Sequence, residues 1–112
     1  MNEQEYLQLA DEAFRTIERA FEEVDPDLAE VTLAGDVLTI GYQDGSKCIV
    51  NTQRPTRQIW LAARSRGWHF GYDDATGRWM DDRGAGVELL RCVADVTKQT
   101  VGVELPLAAR SS

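Results

Sequence analysis

Histidine and cysteine are scarce in this chain, and their scarcity excludes several kinds of site. The 112 residues contain one histidine and two cysteines. Cys48 and Cys92 lie far apart, with no CxxC pair and no histidine beside either, so neither a zinc site nor a disulfide framework is predicted. No serine or cysteine has a second histidine to serve it as a base, which argues against nucleophilic catalysis. We expect both cysteines to be reduced and buried.

Long apolar runs and an excess of positive charge are also absent. No run approaches the roughly 18 apolar residues needed to cross a bilayer, and the first residues are acidic, unlike a secretion signal. Twelve basic and nineteen acidic residues give a formal net charge of −7. This balance disfavours nucleic acid and anionic lipid as partners and favours cations or basic proteins. We therefore expect a cytoplasmic protein, folded as a single domain over residues 1–112.

The N-terminal segment has the spacing of an amphipathic helix. Over the range Glu3 to Val24, apolar residues recur every three or four positions and fall on one stripe. The opposite side is charged and carries an acidic row that contains Asp11, Glu18 and Glu22. Pro26 is expected to end the helix, because it has no amide hydrogen and restricts the residue before it.

Acidic residues crowd the end of this helix, where free carbonyls carry partial negative charge and would favour cations. The acids are Glu22, Glu23, Asp25 and Asp27, with Glu30 just beyond them. Local stability does not explain the cluster, so a bound cation or a basic surface is the expected counterpart. Carboxylates are hard oxygen donors that suit Mg²⁺, Ca²⁺, Mn²⁺ and iron rather than zinc or Cu(I). A convex row predicts weak, multiple sites; the alternative is a solvated helix face that keeps the domain soluble.

From Glu30 onward apolar residues recur at every second position, which predicts strands. Three strands joined by tight turns are expected first, and a fourth covers Gln58 to Ala62. Between the third and the fourth, the chain should turn at Arg54-Pro55-Thr56, because proline cannot donate a hydrogen bond to a sheet. Two further strands follow the basic segment Arg64-Ser65-Arg66-Gly67, which is typical of a turn.

Alternation along these strands defines an outward face of the sheet. If Ile59 and Leu61 point into the core, then Asn51, Trp60 and His69 point away from it. A large aromatic side chain among amides on an exposed face is a candidate contact surface; the alternative is that Trp60 belongs to the core. For His69, a role as ligand or contact residue competes with an ordinary exposed histidine.

A second helix is predicted over Ala85 to Gln99. The segment Val101 to Leu107 is expected to pack against the helices, and the last residues are expected to fray. The order helix, five or six antiparallel strands, helix indicates the α+β class, a two-layer sandwich in which two terminal helices cover one face of the sheet. This class alone implies no function.

Several segments of the chain resemble the frataxin family, specifically its bacterial members, from Glu5 to about Gln99. They are VLTI, DGS, IVNTQRPTRQIWLA and the later WHF…W…D, and the pattern N-x-Q-x-P-x-x-Q-I-W is matched by Asn51, Gln53, Pro55, Gln58, Ile59 and Trp60. The resemblance implies a frataxin-like sandwich. It also implies weak binding of Fe²⁺ and Fe³⁺ and a regulatory, non-enzymatic role in iron–sulfur cluster assembly.

The resemblance further implies which residues act. An acidic ridge would bind iron through Asp11, Glu18, Glu22, Glu23, Asp25, Asp27 and Glu30. The sheet-face contacts would be Asn51, Gln53 and Trp60. The implied partners are a cysteine desulfurase, on whose basic surface the ridge would dock, and the scaffold protein of cluster assembly. The chain is expected to be a monomer, with iron-dependent oligomers as the alternative.

Three other functions stay open from the sequence. A ferroxidase or iron-storage protein would oxidise Fe²⁺ on the ridge, which requires a fixed geometry that an exposed row lacks. A haem protein would use His69 or a cysteine as axial ligand, although no haem motif is present. A protein-interaction module would use the acids for docking without any iron.

Overall fold

Two helices and six strands follow one another in the computed structural model, which describes residues 1–107. The helices are α1 (Glu3–Ala20) and α2 (Leu89–Val101). The strands are β1 (Ala29–Ala34), β2 (Val37–Tyr42), β3 (Lys47–Gln53), β4 (Gln58–Ala63), β5 (Arg66–Asp73) and β6 (Arg78–Asp81). A 3₁₀ turn at Arg54–Thr56 joins β3 to β4, as the proline there predicts.

The six strands form one antiparallel sheet in which each strand pairs with the next along the chain. Both helices pack on this sheet, so the predicted two-layer α+β sandwich is confirmed. The register places Asn51 opposite Trp60 and Trp60 opposite His69. The predicted outward face is therefore a real row of side chains across three strands.

The core lies between the helices and one face of the sheet. Alternation places Leu38, Ile40, Val50, Ile59 and Leu61 in it, all fully or almost fully buried, as predicted. Tyr6 and Ile17 of α1 and Leu89 and Val93 of α2 close it from the other side. Burial of this kind stabilises by roughly 25 cal/mol per Å² of apolar surface and is the main source of stability.

Helix α1 ends at Ala20, so the predicted end at Val24 is wrong. The amide of Phe21 donates to the carbonyl of Glu18 at 3.1 Å, which tightens the last turn, and the chain then continues in turns as far as residue 28. Phe21 is still buried and Val24 still packs against the core. The apolar stripe therefore continues beyond the helix, which is why its spacing predicted a longer one.

Helix α2 begins at Leu89 rather than at Ala85. Gly84 and Gly86 both have positive φ, at 74° and 77°, which an α-helix does not accept. Glu88 is the N-cap, and its carboxylate accepts from the amides of Leu90 and Arg91. The helix ends at Val101, two residues later than predicted, where Gly102 adopts a left-handed conformation.

The segment Arg64–Gly67 is a turn only in its first half. Arg64 and Ser65 form the two-residue connection, and β5 already begins at Arg66. After α2, Leu105 and Leu107 are buried, which confirms that this segment packs on the core. The predicted fraying of the last residues lies outside the described range. No helix within residues 1–107 is long and apolar enough to cross a membrane.

Candidate functional site

The seven residues of the acidic ridge lie on three successive parts of the chain. Asp11 and Glu18 are on α1, Glu30 is on β1, and Glu22, Glu23, Asp25 and Asp27 occupy the turns between them. Glu18 is half-buried and the other six are exposed. The early end of α1 therefore moves two of the seven acids, Glu22 and Glu23, off the helix, so Glu22 does not continue its acidic row.

A groove of about 530 Å³ runs along the ridge between the end of α1 and β1. Three of the predicted acids line it, namely Glu18, Glu22 and Glu30, and Arg15 and Arg19 lie at the same groove. Its floor is apolar and includes Phe21 and Val31. The fold thus brings together one subset of the ridge on a shared surface.

Most ridge carboxylates have no hydrogen-bond or ion-pair partner within residues 1–107. Asp11 accepts from the guanidinium of Arg15 at 2.8 Å, and Asp25 accepts from the amide of Asp27 at 2.9 Å. Over the described residues, no hydrogen bond or ion pair is made by the carboxylates of Glu18, Glu22, Glu23, Asp27 and Glu30. Arg15 attracts Glu18 without contact, and all five carboxylates keep their oxygen atoms available to a partner outside the chain.

The donor set of the ridge suits a hard cation, but the structure does not assemble it into a closed site. In the part of the chain that the structure describes, no three His, Cys, Asp or Glu side chains converge as a metal site would require. A cation on the ridge would take one or two carboxylates and complete its shell with water. Such an ion is cargo on a surface rather than a resident cofactor.

The outward face of the sheet carries a closed network of four side chains. The rings of Trp60 and His69 are stacked, with centroids 4.2 Å apart and planes 16° apart. The indole N–H of Trp60 donates to Oε1 of Gln58 at 2.9 Å, and Nε2 of Gln58 donates to Oδ2 of Asp82 at 3.1 Å. The same oxygen of Asp82 lies 3.5 Å from Nδ1 of His69. Trp60 is therefore held at the surface in one orientation.

Of these four residues, Asp82 was not expected from the sequence. It follows β6 and reaches the network because its amide donates to the carbonyl of His69 at 2.9 Å. The sequence signal was the pair Asp81-Asp82 directly after a strand, which alone does not identify a partner. His69 contacts Trp60 as its position on the face predicts, and a role as haem ligand remains a prediction.

Asn51 and Gln53 extend this face along β3, and both are half-buried. Asn51 lies opposite Trp60 and Gln53 opposite Gln58. Two exposed apolar residues, Val37 and Ile49, continue the surface, with 37% and 39% of their area accessible. The face thus combines an oriented tryptophan, amide groups and aliphatic side chains, a composition typical of the core of a protein interface.

Tyr6 of helix α1 forms hydrogen bonds with the end of β3 and the start of β4. The hydroxyl of Tyr6 donates to the carbonyl of Gln58 at 2.6 Å and accepts from the amide of Gln53 at 3.1 Å. Burial is the largest of the effects that raise the pKa of Tyr6 above its ordinary value of 10.0. The phenol therefore stays protonated and fixes the backbone on which the contact residues stand.

Both cysteines are buried free thiols, as predicted. Burial raises the pKa of Cys48 and of Cys92 to about 12, so each is protonated at neutral pH. Because the thiolate is the form that binds metals, neither residue is suited to ligate iron in this fold.

Comparison with known proteins identifies the family. The family model of the frataxin-like domain matches residues 1–103. The iron-sulfur cluster assembly protein CyaY of Ralstonia nicotianae is 42% identical over 113 residues, which cover 97% of this chain and 96% of that protein. The CyaY protein of Azotobacter vinelandii is 41% identical over 94% of each chain.

A solved structure gives the same result in three dimensions. Frataxin from Psychromonas ingrahamii has a TM-score of 0.86 and is 32% identical, with coverage of 96% of this chain and 98% of that one. The chain belongs to the bacterial frataxin family.

Proposed function

We propose that this protein takes part in iron–sulfur cluster assembly, that it binds Fe²⁺ and Fe³⁺ weakly on the acidic ridge, and that it docks on a cysteine desulfurase and scaffold complex. The proposal rests on the five ridge carboxylates that have no partner within residues 1–107. The names of its relatives support the cluster-assembly role. No catalytic group is assigned to the chain itself, and a cytoplasmic location remains its predicted setting.

The electrostatics of the ridge favour attraction of cations without tight binding. Each exposed pair of like charges about 6 Å apart raises the free energy by roughly 0.7 kcal/mol in water, and salt reduces this further. Neutralisation of the ridge by a cation or by a basic surface removes that repulsion. Docking through the ridge would therefore be fast and sensitive to ionic strength.

The two surfaces suit different partners. The ridge, with its exposed carboxylates, is complementary to a basic surface, which is the expected feature of the desulfurase. The face of Asn51, Gln53 and Trp60 presents an aromatic anchor with amides and aliphatic side chains, which suits an uncharged patch on the scaffold. A protein with both surfaces can contact two components of one complex at the same time.

A salt titration of binding to the cysteine desulfurase of the same organism tests the docking. We expect the Kd to rise on the order of tenfold between about 50 and 300 mM salt, because both surfaces are exposed and charged. The variant Glu22→Gln/Glu30→Gln should bind more weakly and with a smaller salt dependence. The control Asp74→Asn/Asp95→Asn changes the net charge equally, away from the ridge, and should bind like the parent. Salt-insensitive binding, or equal losses in both variants, would contradict docking through the ridge.

Iron binding is tested separately by thermal unfolding under anaerobic conditions. Fe²⁺ should raise the Tm with the logarithm of its excess over the Kd, and Glu22→Gln/Glu30→Gln should reduce that increase. An unchanged Tm at millimolar Fe²⁺ would favour the interaction module that uses no iron. Oxygen uptake after admission of air tests the ferroxidase alternative. A ferroxidase would oxidise many Fe²⁺ ions per protein molecule, so oxygen uptake would greatly exceed the amount of protein.

A further inference from the structure

A second cavity lies on the side of the sheet that faces the helices, between the β4–β5 turn and α2. Its volume is about 270 Å³, and the proposed function makes no use of it. Charged groups at its wall are Arg64, Arg66 and Asp95, and apolar ones are Trp68, Val87 and Val96. It is the place in the fold where the basic turn found in the sequence meets a helix.

Neither arginine at this cavity forms a close ion pair within residues 1–107. The guanidinium carbon of Arg66 lies 4.7 Å from the centroid of the Trp68 ring, which holds the charge at the cavity wall. Arg64 donates from Nη1 to Oγ1 of Thr100 at 3.2 Å, a neutral partner. Within residues 1–107, neither guanidinium has a carboxylate within 4.0 Å. Asp44 lies near enough to Arg64 for an electrostatic attraction, but no carboxylate of the described residues is in ion-pair contact with either guanidinium.

Asp95 is in ion-pair contact with a different arginine. Its carboxylate also lines the cavity but pairs with Arg91 on its own helix, at 3.9 Å. Among the residues that line the cavity, two positive charges stand against one negative charge, on a protein whose net charge is −7. The protein as a whole repels an anion, but the two arginines of the cavity attract it. If the anion carried a second negative charge, Asp95 would repel that charge.

The turn that holds Arg64 was not selected for its own stability. Arg64 and Ser65 have φ values of 53° and 64°, and a two-residue hairpin turn with both residues in this region favours Asn-Gly. Residues with a side chain are strained in this conformation. The strained turn keeps an arginine at the cavity mouth where a more stable sequence would leave none.

We propose that this cavity binds a small organic monoanion, a carboxylate with an apolar body. The guanidinium groups of Arg64 and Arg66 donate to the carboxylate, a pairing for which the planar fork of arginine is suited. Val87 and Val96 contact the body of the ligand. The volume corresponds to roughly nine water molecules at about 30 Å³ each, so the ligand has the size of a short acid or a single-ring acid. Asp95 favours one carboxylate over two.

Benzoate is the probe that tests the proposal, in ¹H–¹⁵N spectra of the full chain. Addition of benzoate should shift the Nε–H of Arg66 and the indole N–H of Trp68, and benzamide, which has the same shape without the charge, should not. Arg66→Gln should weaken benzoate binding about tenfold or more, because charge-assisted hydrogen bonds are lost. Arg83→Gln, an equal charge change in the β6–α2 loop, should change it by less than about twofold.

A second variant keeps the test decisive if Arg66→Gln does not fold. Val87→Phe fills the cavity while both arginines remain, and it should abolish the benzoate shifts. Three results would overturn the proposal: no shift at Arg66 and Trp68 at the highest soluble benzoate concentration, equal shifts with benzamide, or equal weakening by Arg83→Gln, which shows an adventitious response to net charge.

Discussion

Two acidic regions of this molecule use their carboxylates in opposite ways. At the end of β6, Asp81 accepts from the backbone amides of Val87, Arg83 and Ala85 at 2.7, 3.0 and 3.3 Å, and Asp82 belongs to the network around Trp60. Along the ridge, five of seven carboxylates have no such partner over the described part of the chain. Acids of the first kind hold a loop in place, whereas acids of the second kind contribute nothing to local structure.

The difference shows which acids folding accounts for. Partial burial alone would raise the pKa of Asp81, but hydrogen bonds from the amides of Val87, Ala85 and Arg83 outweigh it and hold the pKa below 3.8. Removal of such an acid should loosen the structure. Removal of a ridge acid should leave the fold intact and change only what the surface attracts.

Asp81→Ala is expected to have the largest effect. Three backbone amides lose their acceptor, and the loop with Gly84 and Gly86 loses its anchor, so the free energy of unfolding should fall by about 2 kcal/mol. Urea unfolding followed by tryptophan fluorescence measures this. Glu23→Ala is the matched ridge variant and should change stability by no more than about 0.5 kcal/mol. Similar losses in the two variants would remove the distinction between the regions.

His69→Ala should have a smaller effect on stability and a clear effect on Trp60. The stacked ring and the contact with Asp82 are lost, which should lower the free energy of unfolding by about 1 kcal/mol. The indole of Trp60 should become more exposed and its emission should shift to the red. His69→Phe keeps a ring on Trp60, so it should retain most of the stability. Unchanged emission in His69→Ala would show that the network does not orient Trp60.

The pH dependence of stability tests whether the charge of Asp81 holds the loop. The pKa of Asp81 is lower in the folded chain than its ordinary 3.8, so the stability it contributes is present above that pH and is lost as the pH falls through the folded pKa. Asp81→Asn should be less stable than the parent at about pH 5, and the gap should narrow toward about pH 2. A gap that stays constant over this range would show that the charge of Asp81 is irrelevant.

Neutralisation of the ridge should have the smallest effect, and in the stabilising direction. Glu22→Gln/Glu23→Gln removes like-charge repulsion that amounts to less than about 1 kcal/mol, so stability should be unchanged or slightly higher at low salt. The gain should disappear at high salt, where exposed charges are screened. A clear loss of stability would mean that these glutamates have a structural role that the fold does not reveal.

The sheet was predicted well because one of its faces is buried and the other is exposed to solvent. A slip of one residue would have exchanged Val50 and Ile59 with Asn51 and Trp60, so alternation determines both the register and the outward face. The helix ends were predicted less well. Phe21 and Val24 keep facing the core after α1 has ended, and apolar spacing cannot distinguish a helix from turns that pack on the same side.

The candidate sites were predictable only in part. The acids of the ridge are visible as a local cluster, because they are close in sequence. The link between Gln58 and Asp82 spans 24 residues and depends on where β6 ends, and the cavity at Arg66 depends on how α2 crosses the sheet. Neither follows from periodicity or composition, since both come from elements that meet only in three dimensions.

Paramagnetic broadening by Mn²⁺ tests the central claim most directly, because this ion shares the preference of Fe²⁺ for oxygen ligands and does not oxidise in air. In ¹H–¹⁵N spectra, substoichiometric Mn²⁺ should broaden amides over residues 18–30 before any others. The acidic pair Asp81-Asp82, whose carboxylates both have partners in the fold, should remain sharp at that concentration. Equal broadening at that pair and at the ridge would show that the free carboxylates of the ridge have no special affinity for cations, and would contradict the account.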